Sequence, residues 1–259
     1  MIENFLESSK YAQELFEIDD EIVEKIERES LEDKVPIITR DVLNFMIYNA
    51  NNINAKNILE IGTATGYSGL FLARIANKNG GKLTTIEIDE KRHKIAKENF
   101  EKLGLLDKNE MILGDALEEI PKLDQSKKYD FIFLDASKGQ YLKFFEMSYG
   151  LLNENGIIFI DNLMFRGLVA ESDENVPKRF KTIVRRLREF IQKLNKEYNQ
   201  LVGKYISDYI ELFNKIQRLT FHRIKNYYIK NSKITLEDRN IIHAQLKEEF
   251  NLTSRAIDA

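Results

Sequence analysis

Apolar positions in the first 50 residues recur at helical spacing, through Phe5, Tyr11, Leu15 and Phe16 and again through Ile22 and Ile26. Val35-Pro36-Ile37 interrupts them, because proline biases the residue before it away from the helical region. From residue 58 the pattern changes to short apolar runs alternating with helical stretches. The runs lie at 58–62, 83–88, 110–113, 130–134 and 156–160, and the helical stretches at about 67–78, 90–103, 115–120 and 139–151. Such an alternation predicts an α/β fold with a mainly parallel sheet covered on both faces. Right-handed crossovers then set the C-terminal ends of the strands along one edge, where ligands of doubly wound sheets bind. Beyond Val176-Pro177 a basic amphipathic stretch runs from 178 to about 200, and Gly203 marks a break. Helical spacing returns from 205 to 230, and Thr235 is placed to cap a further helix. No alternating strand pattern follows residue 177.

Composition narrows the class. A chain of 259 residues can bury one substantial core with a small appendage. It has no cysteine, which excludes disulfides and thiolate metal sites and fits a reducing compartment. Residues 1–10 hold no apolar signal core and no apolar run reaches a membrane-spanning length, so a soluble cytoplasmic protein without a membrane partner is expected. The net charge of -3 conceals an asymmetry. Residues 1–177 carry 21 Lys and Arg against 33 Asp and Glu, whereas residues 178–230 carry 14 against 4. The basic block reads either as a polyanion-binding face or as a solvated helix surface.

The chemistry starts at Ile58-Leu59-Glu60-Ile61-Gly62-Thr63-Ala64-Thr65-Gly66-Tyr67-Ser68, with Glu87 closing the next apolar run. Gly62 and Gly66 let the backbone turn tightly and approach a ligand without a side chain in the way. Glu87 is placed to accept hydrogen bonds from two ribose hydroxyls, as an acid ending the second strand does in nucleotide folds. Asp115, in Gly114-Asp115-Ala116 after the third run, can reach an adenine amino group. The spacing is E-x-G-x-x-x-G rather than the dinucleotide G-x-G-x-x-G, and it resembles the cofactor loop of class I S-adenosyl-L-methionine (SAM) methyltransferases. That resemblance implies a Rossmann-like SAM methyltransferase sheet with Glu60, Gly62, Gly66, Tyr67, Ser68, Glu87, Asp115 and Asp135 around the cofactor.

The fourth run ends in Leu134-Asp135-Ala136-Ser137-Lys138 and the fifth in Ile160-Asp161-Asn162. Two carboxylates and a carboxamide oxygen at adjacent strand ends form a hard-oxygen set suited to Mg²⁺, unless they merely cap turns. Here the chain resembles the divalent-metal-dependent O-methyltransferases typified by the catechol and caffeoyl-coenzyme A enzymes, over about residues 1–195. The resemblance implies Asp135, Asp161 and Asn162 as metal ligands, Lys138 as catalytic base and a homodimer. Within that family, Val35-Pro36-Ile37-Ile38 and Asp161-Asn162-Leu163-Met164-Phe165-Arg166-Gly167 look most like the bacterial tRNA 5-hydroxyuridine methyltransferases. A metal chelating two neighbouring substrate oxygens would fix the attacking hydroxyl for in-line methyl transfer. Catechol offers such a pair, and so do the 5-hydroxyl and C4 carbonyl of 5-hydroxyuridine.

The expected organisation is an O-methyltransferase domain over 1–196, with residues 1–50 as a helical substrate cap, and a helical extension over 197–259. The basic stretch 178–230 would serve tRNA phosphates. The extension departs from the family, whose members finish with two further strands, and leaves the fifth strand an apolar edge. Short stretches of it, Tyr209-Ile210-Glu211-Leu212-Phe213-Asn214-Lys215 and Glu249-Phe250-Asn251-Leu252-Thr253-Ser254-Arg255, resemble the start of transposon-encoded RNA-guided nucleases, as in a fusion. A small catechol-like acceptor and an inactive fusion that keeps SAM binding are the two alternatives. His93, on a helix expected to be exposed, and His222 and His243 are read as structural or solvated.

Overall fold

The computed structural model describes residue 11 and residues 13–197. The expectations for the first ten residues, for His222 and His243 and for the extension beyond 197 lie outside the described residues. The sheet and the helices packed on it belong to one compact unit, Met1–Gln192. Five strands, β1 (Asn57–Ile61), β2 (Lys82–Glu87), β3 (Glu110–Leu113), β4 (Tyr129–Leu134) and β5 (Leu152–Ile160), form an all-parallel sheet in the order β3-β2-β1-β4-β5. The order reverses between β1 and β4, the kind of switch point at which such sheets open a crevice for ligands.

The helices are α1 (Glu21–Glu32), α2 (Arg40–Asn52), α3 (Tyr67–Lys78), α4 (Glu90–Lys102), α5 (Ala116–Glu119), α6 (Tyr141–Tyr149) and α7 (Lys181–Glu197). Their starts are written locally. Asp20 accepts from the Ile22 and Val23 amides to open α1, and Asp89 accepts from the Arg92 amide to open α4. Period-2 alternation sorts the strand side chains. Ile58, Phe131 and Phe133 face a cluster with Val23 and Ile26 of α1, Leu43 and Met46 of α2, and Leu70 and Ala73 of α3. On the α6–α7 side, Phe190 of α7 meets the rings of Tyr141 and Phe145 of α6. No helix among the described residues is long and apolar enough to cross a membrane.

Two details differ from the sequence reading. The fifth strand starts at Leu152, which pairs with Tyr129; the register then shifts so that Phe131 pairs with Ile157. The polar residues 153–155 in that shift mask the start of the strand. His93 is not exposed but buried, at 9 %. It lies on the face of α4 that also buries Ala96 and Phe100, its Nδ1 has no hydrogen-bond partner, and burial together with the Lys97 charge lowers its pKa. Among the described residues β5 is a sheet edge, and its last five residues are half-buried.

Candidate active site at the strand ends

At the end of β1 the Asp135 amide donates to the Ile61 carbonyl (2.9 Å) and the Gly62 amide to the Ile86 carbonyl (3.0 Å), so three strand ends stay tied as they leave the sheet. Gly62 has φ +102, and a Cβ there would overlap the Asp135 carbonyl oxygen. The turn passes through Ala64 at φ 47 and ends at Gly66, whose φ of 89 opens α3. Glu87 seals it: one carboxylate oxygen accepts from the Ala64 amide (2.7 Å), the other from the Asp89 amide (2.9 Å). Each oxygen keeps a further acceptor position. Beside it, Ile88 is 67 % exposed and Leu113, the register partner of Glu87, is 45 % exposed. These two apolar side chains flanking an acid are candidate walls for a flat heterocycle. The sequence reading missed them, although an apolar residue directly after a strand-ending acid was the available signal. Asp115 caps α5 through the Leu117 amide (2.9 Å), which commits one of its oxygens.

Glu60, Tyr67 and Ser68 lie beneath the turn. Glu60 is wholly buried and accepts from the hydroxyls of Ser68 (2.6 Å) and Thr85 (2.7 Å). Burial pushes its pKa up to about 8, against those two bonds. Gly69 leaves room for it, since a Cβ there would stand 2.7 Å from Glu60 Oε2. The Tyr67 hydroxyl donates to Glu27 of α1 (2.9 Å), which also receives Arg40 Nε (2.8 Å). Burial works to raise the Glu27 pKa, but the Arg40 and Tyr67 bonds prevail and hold it low. Ser30 of α1 and Thr65 of the turn share a hydrogen bond of 2.8 Å. Glu27, Ser30 and Arg40 carry no motif and were not legible before the chain was folded.

Asp135, Lys138, Asp161 and Asn162 come together at the ends of β4 and β5. Lys138 Nζ stands 3.7 Å from Asp135 Oδ1 and 5.8 Å above the Tyr141 ring. Burial, then the Asp161 charge, push the Asp135 pKa up to about 6, with Lys138 opposing. Burial also raises Asp161, with a contribution from Asp41 of α2. Asn162, at φ 57, folds back so that its backbone amide donates to Asp161 Oδ1 (2.7 Å) and its side chain to Oδ2 (2.6 Å). The Tyr141 hydroxyl donates to the Asp161 carbonyl (3.0 Å). Among the described residues no three His, Cys, Asp or Glu are placed to hold a metal. The donor types here, two half-buried carboxylates that repel each other and a carboxamide, suit a hard cation such as Mg²⁺.

Similar proteins extend this picture. The profile of the family described as O-methyltransferase matches residues 8–215. Caffeoyl-CoA O-methyltransferase 5 of Nicotiana tabacum is 35 % identical over 148 residues, 56 % of this chain and 60 % of that protein. The chain spans about three-fifths of the length of the curated plant relatives it matches. A Staphylococcus aureus structure named for caffeoyl-CoA O-methyltransferase superposes with a TM-score of 0.67 at 32 % identity, covering 73 % of this chain and 90 % of that one. The Bacillus cereus O-methyltransferase, solved with S-adenosylhomocysteine, gives a TM-score of 0.66 at 29 % identity over 76 % and 89 % of the two chains. With its five-stranded parallel sheet and its strand-end turn, this chain belongs to the O-methyltransferase family.

Proposed function

We propose that the chain transfers a methyl group from SAM to a hydroxyl oxygen, with Mg²⁺ held by Asp135, Asp161 and Asn162. The observation that carries the reading is the contact of Gly62 with the Asp135 backbone: the turn of a nucleoside pocket and the acidic pair share one edge of the sheet. SAM-bound and S-adenosylhomocysteine-bound relatives of the same fold support the cofactor. Glu87 would take the ribose hydroxyls, Ile88 and Leu113 the adenine faces, and the N-terminus of α3 the carboxylate. Lys138, in its neutral amine form, would receive the acceptor proton. The acceptor oxygen then forms its bond to the methyl carbon as the sulfur–methyl bond breaks in line, leaving S-adenosylhomocysteine as a neutral thioether. A bound Mg²⁺ would neutralise the two carboxylates and acidify a chelated hydroxyl.

As acceptor we propose 5-hydroxyuridine in a tRNA anticodon, giving 5-methoxyuridine. Its support is the sequence of the 161–167 segment and the basic stretch, whose described part over 178–197 carries 8 Lys and Arg against 2 Asp and Glu. A small catechol-like acceptor is the second reading, favoured by relatives named caffeoyl-CoA and catechol O-methyltransferase. The deciding experiment follows labelled methyl from SAM into tRNA carrying unmethylated 5-hydroxyuridine, or into a soluble diol, with Mg²⁺ or with chelator. Metal-dependent labelling of the nucleoside is expected. Labelling of the diol alone selects the second reading, and labelling of neither, with SAM still bound, selects an inactive fusion.

A further inference from the structure

The acceptor-side residues lie on two loops, and both are held from one helix. The first loop is the turn Lys138–Gln140, where Arg186 Nη1 of α7 donates to the Gly139 carbonyl at 3.2 Å. The second follows Asn162 and has an unusual backbone. Asn162, Phe165, Arg166 and Gly167 all adopt positive φ, at 57, 44, 57 and 84. Three non-glycine residues in that region within five positions form a strained segment that persists only if its surroundings hold it. Just beyond that segment, Arg188 of α7 holds the continuation of the same loop. Its Nε donates to the Val169 carbonyl at 2.9 Å, its Nη2 to the Glu171 carbonyl, and its Nη1 pairs with Asp173. A guanidinium has the fixed fork to serve three acceptors at once, which an ammonium does not. Between the loops, Tyr141 carries its hydroxyl to the Asp161 carbonyl and rests its ring on Phe190 of α7.

We propose that Arg188 is a positioning residue for methyl transfer, acting from α7 on the 162–173 loop and so on the pose of Asn162 and the acceptor. Arg186 and Phe190 complete the buttress under the Lys138 turn and Asp161. The basic stretch is therefore divided: Arg186 and Arg188 are spent on this chain's own carbonyls and Asp173, while Lys178 and Lys181 are exposed and available to a polyanion. The inference rests on the proposed reaction for its kinetic consequence but not for its structural one.

Amide hydrogen exchange across residues 163–177 tests it in the full chain, for wild type, Arg188→Gln, Arg188→Lys and the outward-facing control Arg185→Gln. Loss of a charge-assisted set of bonds predicts exchange of the 168–173 amides about tenfold faster in Arg188→Gln, with Arg188→Lys intermediate and Arg185→Gln like wild type. SAM affinity by calorimetry stays within about twofold, because the SAM turn is on β1 and untouched by α7. KM for the acceptor that the labelling experiment identifies rises in Arg188→Gln and not in Arg185→Gln. Unchanged exchange in both Arg188 variants overturns the proposal. If Arg188→Gln does not fold, Arg188→Lys alone decides it. If wild type shows no transfer at all, the proposed function falls while the exchange comparison still decides the clamp.

Discussion

Gly62 shows how one position can be demanded twice. Its φ of +102 strains any L side chain, and its missing Cβ is the space through which the Asp135 carbonyl passes. Gly62→Ala therefore combines left-handed strain with a backbone clash and is expected to destabilise the chain by about 2–4 kcal/mol in denaturant unfolding. An unchanged midpoint would show that the two strand ends part freely. Glu60 makes a different demand. Its carboxyl pKa moves from 4.5 to about 8 on folding. Between those values the folded chain keeps a proton that the unfolded chain has shed. Its contribution to stability is thus full below pH 4.5 and is lost as the pH rises to about 8. Glu60→Gln has no such proton, so its stability curve from pH 5 to 8 should lack at least about 1 kcal/mol of the decline seen in wild type. Parallel curves would mean that the pocket is wetter than its burial indicates.

Helix α1 contributes more to the site than its position before the sheet suggests. Val23 and Ile26 anchor it in the core, and Asp20 pairs with Arg74 of α3. Glu27 and Ser30 then meet Tyr67 and Thr65 at the end of the cofactor turn. Glu27→Ala would leave the Arg40 guanidinium and the Tyr67 hydroxyl without their shared acceptor, costing about 2–4 kcal/mol. Calorimetry should also find SAM binding weakened, since the turn loses its support from below. A variant that is less stable yet binds SAM as wild type does would confine α1 to a structural role.

Across the sheet edge the two halves of the proposed chemistry are separable. The nucleoside side rests on β1, β2 and β3, and the acidic side on β4 and β5. Asp161→Ala should abolish metal-dependent transfer while leaving SAM affinity within a few-fold of wild type, measured on the same preparation. Joint loss of both would show that the pocket does not survive without the acidic pair. If tRNA is the acceptor, its binding should fall steeply with salt, because Lys and Arg contacts to phosphate release counterions. A flat salt response would count against the exposed part of the basic stretch as an RNA face.

Local pattern decided most of the framework: the existence of all five strands and the extent of the first four to within about a residue, the α3 boundaries, and the strand-end positions of Gly62, Glu87, Asp135 and Asp161 follow from apolar period and turn chemistry. Those signals are short-range, so one chain segment carries them entire. Folding alone decided the rest. Lys91-Arg92-His93-Lys94 reads as an exposed helix with His93 either structural or solvated, and the turn of α4 decides between the two by putting His93 on the inward face with Ala96 and Phe100. The polar 153–155 segment hides the early start of β5 because pairing with Tyr129, not side-chain period, fixes it. Glu27 meets Tyr67 and Arg188 meets Val169 across 40 and 19 residues. Partners so far apart leave no period or spacing in the sequence, because only packing brings them within hydrogen-bonding distance.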